Sequence, residues 1–176
     1  MLLDHSGIVP SDGDGSGRIY SAGTVHPTAE KLHERLRGLG VDVEIRELDA
    51  STRTAAEAAT AVGCDVAQIV KSLVLVVEGD AVLCLCAGDR RLRIERFGPD
   101  ARMATADEAR AATGFSVGGI PPLGHDAPLR TVVDGSLRRF DLVWCAAGTP
   151  WAVFPIETGR LLRALADGEI SDVLSV

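Results

Sequence analysis

Near the middle of the chain stands the run Ile69-Val70-Lys71-Ser72-Leu73-Val74-Leu75-Val76-Val77, which is almost entirely apolar and rich in β-branched residues. Such a run predicts a strand that is buried on both faces. Lys71 interrupts it near its start, and the chain has only one other lysine, Lys31, beside sixteen arginines. A lysine offers a compact charge with three rotatable donors, whereas arginine offers a planar fork. Lys71 is therefore either a functional cation or a side chain that reaches solvent from a strand end.

Length and composition indicate a soluble globular protein with one sizeable core. The chain has 176 residues, of which 46% are hydrophobic and 24% charged, both ordinary values. Its net charge of −7 argues against binding nucleic acid through bulk electrostatics, but it allows a small basic pocket for one end of an RNA. The sequence shows neither an apolar run of membrane-spanning length nor a signal-peptide pattern. We therefore expect no membrane association and a cytoplasmic location.

Residues 1–25 differ in composition from the rest of the chain. They are rich in Gly, Ser and Asp, a composition that buries too little to order itself, and they predict a flexible N-terminal arm. The folded domain is expected over residues 26–176. It opens with a helix whose first position is Pro27 and whose apolar face carries Leu32, Leu36 and Leu39. The alternation of apolar and charged residues over 41–45 then predicts a half-exposed strand.

Local signals place the remaining elements. Thr54-Ala-Ala-Glu57 and Thr105-Ala-Asp-Glu108 are capping boxes that open two helices. Glu78-Gly79-Asp80 joins the central strand to an apolar partner at 81–87 and predicts a β-hairpin. Three more strand-like runs, at 129–133, 142–147 and 151–154, precede an amphipathic C-terminal helix. The predicted class is α+β: a single domain, either with mixed α and β elements in one layer system or with a sheet curled into a partial barrel.

Cysteines and histidines give little support to nucleophilic or metal chemistry. Cys84 and Cys86 alternate in the hairpin and are expected as buried, reduced thiols. Paired Cys-x-x-Cys spacing is missing from the sequence, and so are a nucleophile elbow and a dinucleotide fingerprint. We expect neither a metal nor a cofactor. A thiol or metal protein that uses Cys84 and Cys86 remains a weaker alternative.

Two segments could present backbone groups to a ligand. Gly118-Gly119-Ile120-Pro121-Pro122 combines the freedom of glycine with the fixed φ of proline, so it is stiff and yet allows close approach to the main chain. A tight structural turn explains the same composition. Gly148-Thr149, which follows a buried strand, is a second such place.

An arginine cluster follows the hairpin: Arg90, Arg91, Arg93 and Arg96, set around Leu92, Ile94 and Phe97. The cluster is either the solvated face of a short helix or a rim that binds phosphate.

The order of these motifs resembles the YbaK/ProX family of trans-acting aminoacyl-tRNA deacylases, which is related to the editing domain of bacterial prolyl-tRNA synthetase. The resemblance runs from about residue 27 to the C-terminus, and it implies the family fold, a mixed, partly barrel-like sheet flanked by helices. It is carried by four motifs, namely Lys71-Ser72 at the head of the strand, Gly118 to Pro122, Asp134-Gly-Ser-Leu137, and Ala146-Ala-Gly-Thr-Pro150. Family members often carry His or a carboxylate where this chain has Trp151-Ala-Val153, and more lysine where it has Arg91 to Arg96.

The resemblance implies a trans-editing hydrolase that removes a small amino acid, such as Cys, Ala or Ser, from mischarged tRNA, with tRNA-Pro as one candidate. It implies Lys71 as the catalytic residue. The substrate-binding residues implied with it, for the 3′-terminal adenosine and the amino acid, are Ser72, Gly118, Gly119, Ile120, Pro121, Pro122, Asp134, Gly148 and Thr149. The alternative is a non-catalytic module that binds the tRNA 3′ end and acts with an aminoacyl-tRNA synthetase.

Overall fold

A computed structural model describes residues 17–18, 26–49, 52–165 and 168–171. Within these ranges four α-helices and nine β-strands form a mixed α+β domain with two sheets. The predicted fold class is thus confirmed, with the correction that neither sheet closes into a barrel. Of the arm predicted at residues 1–25, only 17–18 are described; the rest of that prediction lies outside the described residues.

The helices begin and end where local chemistry directs. They are α1 (Pro27–Gly38), α2 (Ala55–Val62), α3 (Ala106–Thr113) and α4 (Thr158–Ala164), with short 3-10 helices at Val66–Gln68, Ile94–Phe97 and Gly135–Arg139. Both predicted capping boxes form: Thr54 pairs with Glu57 at α2, and Thr105 pairs with Glu108 at α3. Each satisfies two backbone N–H groups that an unfinished first turn leaves free.

The strands form one antiparallel and one mixed sheet. They are β1 (Gly17–Arg18), β2 (Arg46–Leu48), β3 (Val70–Val77), β4 (Asp80–Ala87), β5 (Arg102–Met103), β6 (Arg130–Asp134), β7 (Leu142–Ala146), β8 (Ala152–Glu157) and β9 (Glu169–Ser171). The antiparallel sheet has the order β1-β2-β8-β7, and the mixed sheet has the order β5-β3-β4-β6-β9. A parallel bridge joins the two sheets between Ile69, the residue before β3, and Trp144 of β7.

The sequence predicts that β3 is enclosed along its whole length, but only its second half is. Along its whole length β3 pairs with β4, but β5 covers its other edge only at Leu75 and Val76. Within the described residues, no strand pairs with that edge from Lys71 to Leu73, and these three residues are only partly buried. The two sheets therefore diverge beyond the Ile69–Trp144 bridge and leave a gap beside Lys71.

Two local predictions in the first third of the chain were wrong. Leu39 is the residue after α1 and is 58% exposed, whereas Leu32 and Leu36 are fully buried. The predicted strand at 41–45 has no regular structure, and β2 begins only at Arg46. Val41 and Ile45 are nevertheless buried, so the alternating pattern reports burial here and not strand pairing. No helix in the described ranges is long and apolar enough to cross a bilayer.

Candidate functional site

A cleft of about 460 Å³ occupies the gap between the sheets. Its walls come from the segment before α2 and the start of that helix, the first half of β3, the loop before Pro121, and the paired strands β7 and β8. The residues that line it are Thr52, Arg53, Thr54, Ala55, Ala56, Ala58, Val66, Ile69, Val70, Lys71, Ser72, Leu73, Gly88, Val117, Gly118, Ile120, Trp144, Cys145, Ala146 and Val153. Most of these side chains are apolar, and Lys71 and Arg53 are the two cations among them.

Lys71 lies in the wall of the cleft and is partly buried. Its ammonium donates a hydrogen bond to the backbone carbonyl oxygen of Arg90. An ammonium has three donors, so this bond fixes the side chain while two donors remain for other acceptors. Lys71 is thus a held cation at the cleft and not a side chain that extends freely into solvent.

Ser72, the next residue of β3, also lines the cleft. Its Oγ is buried and has no hydrogen-bond partner among the described residues. A buried hydroxyl without a partner is unusual and costs free energy, because it has lost its hydrogen bonds to water. A polar group of a ligand in the cleft could supply the missing bond.

The glycine-and-proline loop divides its residues between the cleft and the protein interior. Gly118 and Ile120 line the cleft, and the positive φ of Gly118 (89°) is one that favours glycine. Pro121 and Pro122 are buried and do not contribute to the lining; the carbonyl oxygen of Pro121 lies 2.9 Å from His125 Nε2. The predicted site residues in this loop therefore differ in position: Gly118 and Ile120 face the cleft, whereas the two prolines are buried in the protein interior.

Gly119 connects the loop to the turn between β7 and β8. Its carbonyl oxygen accepts a hydrogen bond from the Gly148 amide at 2.9 Å, and its own amide donates to Ser116. A Cβ on residue 119 would lie 2.8 Å from three backbone atoms of Thr149, so only glycine fits. Gly148 and Thr149, predicted as a second place where backbone could face a ligand, contact this loop and do not line the cleft.

Asp134 is a predicted site residue that lies outside the cleft lining, although its charge and that of Lys71 both act on the pKa of the Cys86 thiol. It is buried and caps the 3-10 helix at Gly135–Arg139, where its Oδ1 accepts a hydrogen bond from the Ser136 amide at 2.9 Å. Ser136 Oγ accepts from the Ala87 amide at 3.3 Å, and Arg139 forms a two-point ion pair with Asp89. This segment therefore holds the chain that follows β4, which supplies the carbonyl partner of Lys71.

Sequence reasoning missed several residues that line the cleft. Arg53 immediately precedes the capping box of α2 and is exposed at the cleft, against Gly118. Gly88 follows β4 where a Cβ would clash with the carbonyl oxygen of Val66, and a glycine at a strand end is a signal for such close approach. Trp144 borders the cleft beneath the Arg46 guanidinium, which lies 5.1 Å from the ring centroid. No local pattern distinguishes Trp144 from an ordinary core residue.

The cysteines are free thiols, and three of the four are buried. Burial raises the pKa of Cys84 to about 12, and it raises the pKa of Cys86 to about 11 although the Lys71 charge lowers it. Among the described residues, no three His, Cys, Asp or Glu side chains gather in a way that could hold a metal ion. The described histidines also lie outside the cleft lining.

The model of the aminoacyl-tRNA editing domain family matches residues 49–164, which include every residue of the cleft lining. The chain belongs to this family. The uncharacterized protein YwhH of Bacillus subtilis (strain 168) is 34% identical to this chain over 111 residues, which are 60% of this chain and 71% of YwhH. The predicted family is therefore confirmed.

Two further comparisons connect the editing domain to prolyl-tRNA synthetase. The proline–tRNA ligase of Solidesulfovibrio magneticus is 37% identical over 82 residues, which are 43% of this chain and 14% of the ligase. The crystal structure of a candidate trans-editing enzyme for prolyl tRNA synthetase superimposes with a TM-score of 0.78 at 43% identity, covering 86% of this chain and 99% of that one. The chain is thus a trans-editing-type domain related to the editing region of prolyl-tRNA synthetase.

Proposed function

We propose that the protein is a trans-editing hydrolase that deacylates mischarged aminoacyl-tRNA. The observation that supports this most directly is that Lys71, Ser72 and Gly118 line one cleft in a domain of the editing family. The volume of about 460 Å³ falls in the range of about 300–1,000 Å³ typical of small-molecule sites. Such a cleft takes the terminal adenosine with its amino acid, while the rest of the tRNA stays outside.

The cleft acts by holding the ester and stabilising charge. Water attacks the ester carbonyl, the bond to the ribose oxygen breaks, and the proton of the water ends on that oxygen; free amino acid and deacylated tRNA result. The Lys71 ammonium, fixed by its bond to the Arg90 carbonyl, donates to the phosphate or to the oxygen on which negative charge develops. No described histidine lines the cleft, so positioning and electrostatics carry the reaction.

The walls favour a small amino acid. The lining that contains Ser72 also has branched apolar side chains, from Ile69, Val70, Ile120 and Val153, which suits Cys, Ala or Ser better than a bulky residue. An apolar pocket separates substrates that differ by one methylene only about 10–200-fold, which is why a second site is useful for editing. The relationship to prolyl-tRNA synthetase supports tRNA-Pro as the carrier and that synthetase as a functional partner.

The test is deacylation of tRNA-Pro charged with Cys, Ala, Ser or Pro, measured for the wild type and for Lys71→Ala. Lys31→Ala is the matched control, since Lys31 is the only other lysine and is exposed on α1. We expect hydrolysis of at least one small amino acid, a loss of about 100-fold or more in kcat/KM for Lys71→Ala, and no change for Lys31→Ala. If the wild type binds the tRNAs but hydrolyses none, the protein is instead a non-catalytic module for the tRNA 3′ end.

A further inference from the structure

Three exposed side chains lie on three segments that contribute residues to the cleft lining or lie within two residues of one. Trp151 is 46% exposed in the turn that leads into β8, and Val117 is 58% exposed in the loop before Gly118. Arg53, also exposed, precedes α2. Arg53 and Val117 line the cleft themselves. We call these three residues the rim.

The segments that carry the rim are bonded to one another. Thr52 donates two hydrogen bonds to the carbonyl oxygen of Pro150, from its amide at 2.6 Å and from its Oγ1 at 2.9 Å. Gly119 packs against the backbone of Thr149, and a Cβ on Gly118 would lie 3.4 Å from Arg53 Cγ. The rim is therefore a rigid arrangement and not three independent loop tips.

Trp151 is fixed by its backbone while its ring stays accessible. Its amide donates to Thr149 Oγ1 at 3.3 Å, and its carbonyl oxygen accepts from the Leu48 amide at 2.8 Å, which extends the pairing of β2 with β8. Because side chains alternate along a strand, Trp151 shares a face with Val153, which lines the cleft. The chain has only two tryptophans, and this one is not used in the core.

We propose that the rim binds an unpaired nucleotide of the tRNA 3′ end, with its base stacked on Trp151 against Val117 and its phosphate beside Arg53. The proposal rests on the proposed function, because an aminoacyl-adenosine in the cleft places the preceding unpaired nucleotides at its mouth. An aromatic face with a neighbouring cation is the arrangement that holds single-stranded nucleic acid without reading its sequence.

The experiment measures binding of two labelled RNA hairpins, one ending in single-stranded CCA and one blunt-ended, by fluorescence anisotropy at fixed salt. We expect Trp151→Ala to weaken binding of the CCA hairpin about tenfold and Trp151→Phe to restore most of it. Leu39→Ala, which removes an apolar side chain that is 58% exposed and lies outside the cleft lining, should change nothing. The blunt hairpin should respond to none of the variants.

The rim proposal is overturned if Trp151→Ala binds the CCA hairpin as the wild type does, if both hairpins weaken alike, or if the wild type binds neither. These results are separable from the deacylation assay. If binding of the CCA hairpin depends on Trp151 but no substrate is hydrolysed, the proposed activity is wrong and the rim proposal still holds. If the protein hydrolyses a substrate but Trp151→Ala binds the CCA hairpin as the wild type does, the proposed activity holds and the rim proposal is wrong.

Discussion

Gly119 lies directly against the backbone of Thr149, and a Cβ on residue 119 would come within 2.8 Å of the N, Cα and C atoms of Thr149. Backbone cannot move aside as a flexible side chain can, so Gly119→Ala has to push the loop and the β7–β8 turn apart. We expect it to lower the free energy of unfolding by about 1–3 kcal/mol. Urea unfolding followed by circular dichroism measures this.

The control for that substitution is Gly38→Ala. Gly38 is the last residue of α1, and a Cβ there would meet nothing within 4 Å. Alanine should leave stability unchanged or raise it by up to about 1 kcal/mol. Equal unfolding midpoints for Gly119→Ala and the wild type would show that the loop and the turn are not tightly packed.

The two aspartates that cap 3-10 helices offer a matched pair. Asp134 is buried and Asp65 is exposed, and each accepts a backbone hydrogen bond from the residue two positions further on. We expect Asp134→Ala to cost about 1–3 kcal/mol, since it removes a buried carboxylate and leaves the partly buried Ser136 amide without its partner, and Asp65→Ala to cost about 1 kcal/mol or less.

Thermal unfolding of the two variants gives the order of their effects. Because Asp134 lies outside the cleft lining, KM for a substrate should remain that of the wild type in Asp134→Ala. A changed KM with unchanged stability would instead place Asp134 in substrate binding.

Thiol accessibility follows from burial. Cys84, Cys86 and Cys145 are buried, and burial raises the pKa of each; Cys64 is only partly buried. Since the thiolate is the reactive form, we expect an aromatic disulfide reagent at pH 8 to modify at most Cys64 in the native protein and all four thiols in denaturant. Rapid native reaction of Cys84 or Cys86 would favour the thiol-protein alternative.

The carboxyl group of Glu108 should make the stability of the fold depend on pH in one definite direction. Its two-point hydrogen bonds from Arg102, supported by the Thr105 amide, lower the pKa of Glu108 to about 2. A carboxyl whose pKa is lower in the folded state stabilises the fold above its unfolded pKa, and this stabilisation disappears as the pH falls toward 2. The pair is exposed, so the effect is small and is reduced by salt.

We therefore expect Glu108→Gln to unfold at a slightly lower temperature than the wild type at pH 7, with the difference shrinking between about pH 4.5 and pH 2. Scanning calorimetry across this range at low salt measures it. A difference that stays constant as the pH falls would mean that the carboxylate charge of Glu108 contributes nothing.

Elements with local causes were predictable from the sequence. A capping box such as Thr54 with Glu57 spans four residues, and the hairpin turn at Glu78 and Gly79 requires only two residues with positive φ. The prediction for Leu39 was wrong because the helical spacing of leucines in the sequence extends one residue beyond α1, whereas the helix ends at Gly38.

Which residues line the cleft depends on contacts between segments that are far apart in the sequence. For that reason the sequence predicted only some of the lining residues. Lys71, Ser72, Gly118 and Ile120 were predicted and do line it. Asp134 belongs to the same series of sequence motifs as these residues, but it does not line the cleft. Its side chain caps the 3-10 helix at Gly135–Arg139. Arg53 reaches the cleft because Thr52 bonds to Pro150, and no pattern of neighbouring residues reports such a contact.

The bond between Thr52 and Pro150 joins residues 98 positions apart, and this separation matters while the chain is being made. A ribosome that has synthesised β3, β4 and the glycine-and-proline loop has produced most of the cleft residues but not the turn that braces them. Closing such a long loop is a late and entropically costly event in folding. The cleft should thus become able to bind only after the segment that contains Pro150 has left the exit tunnel.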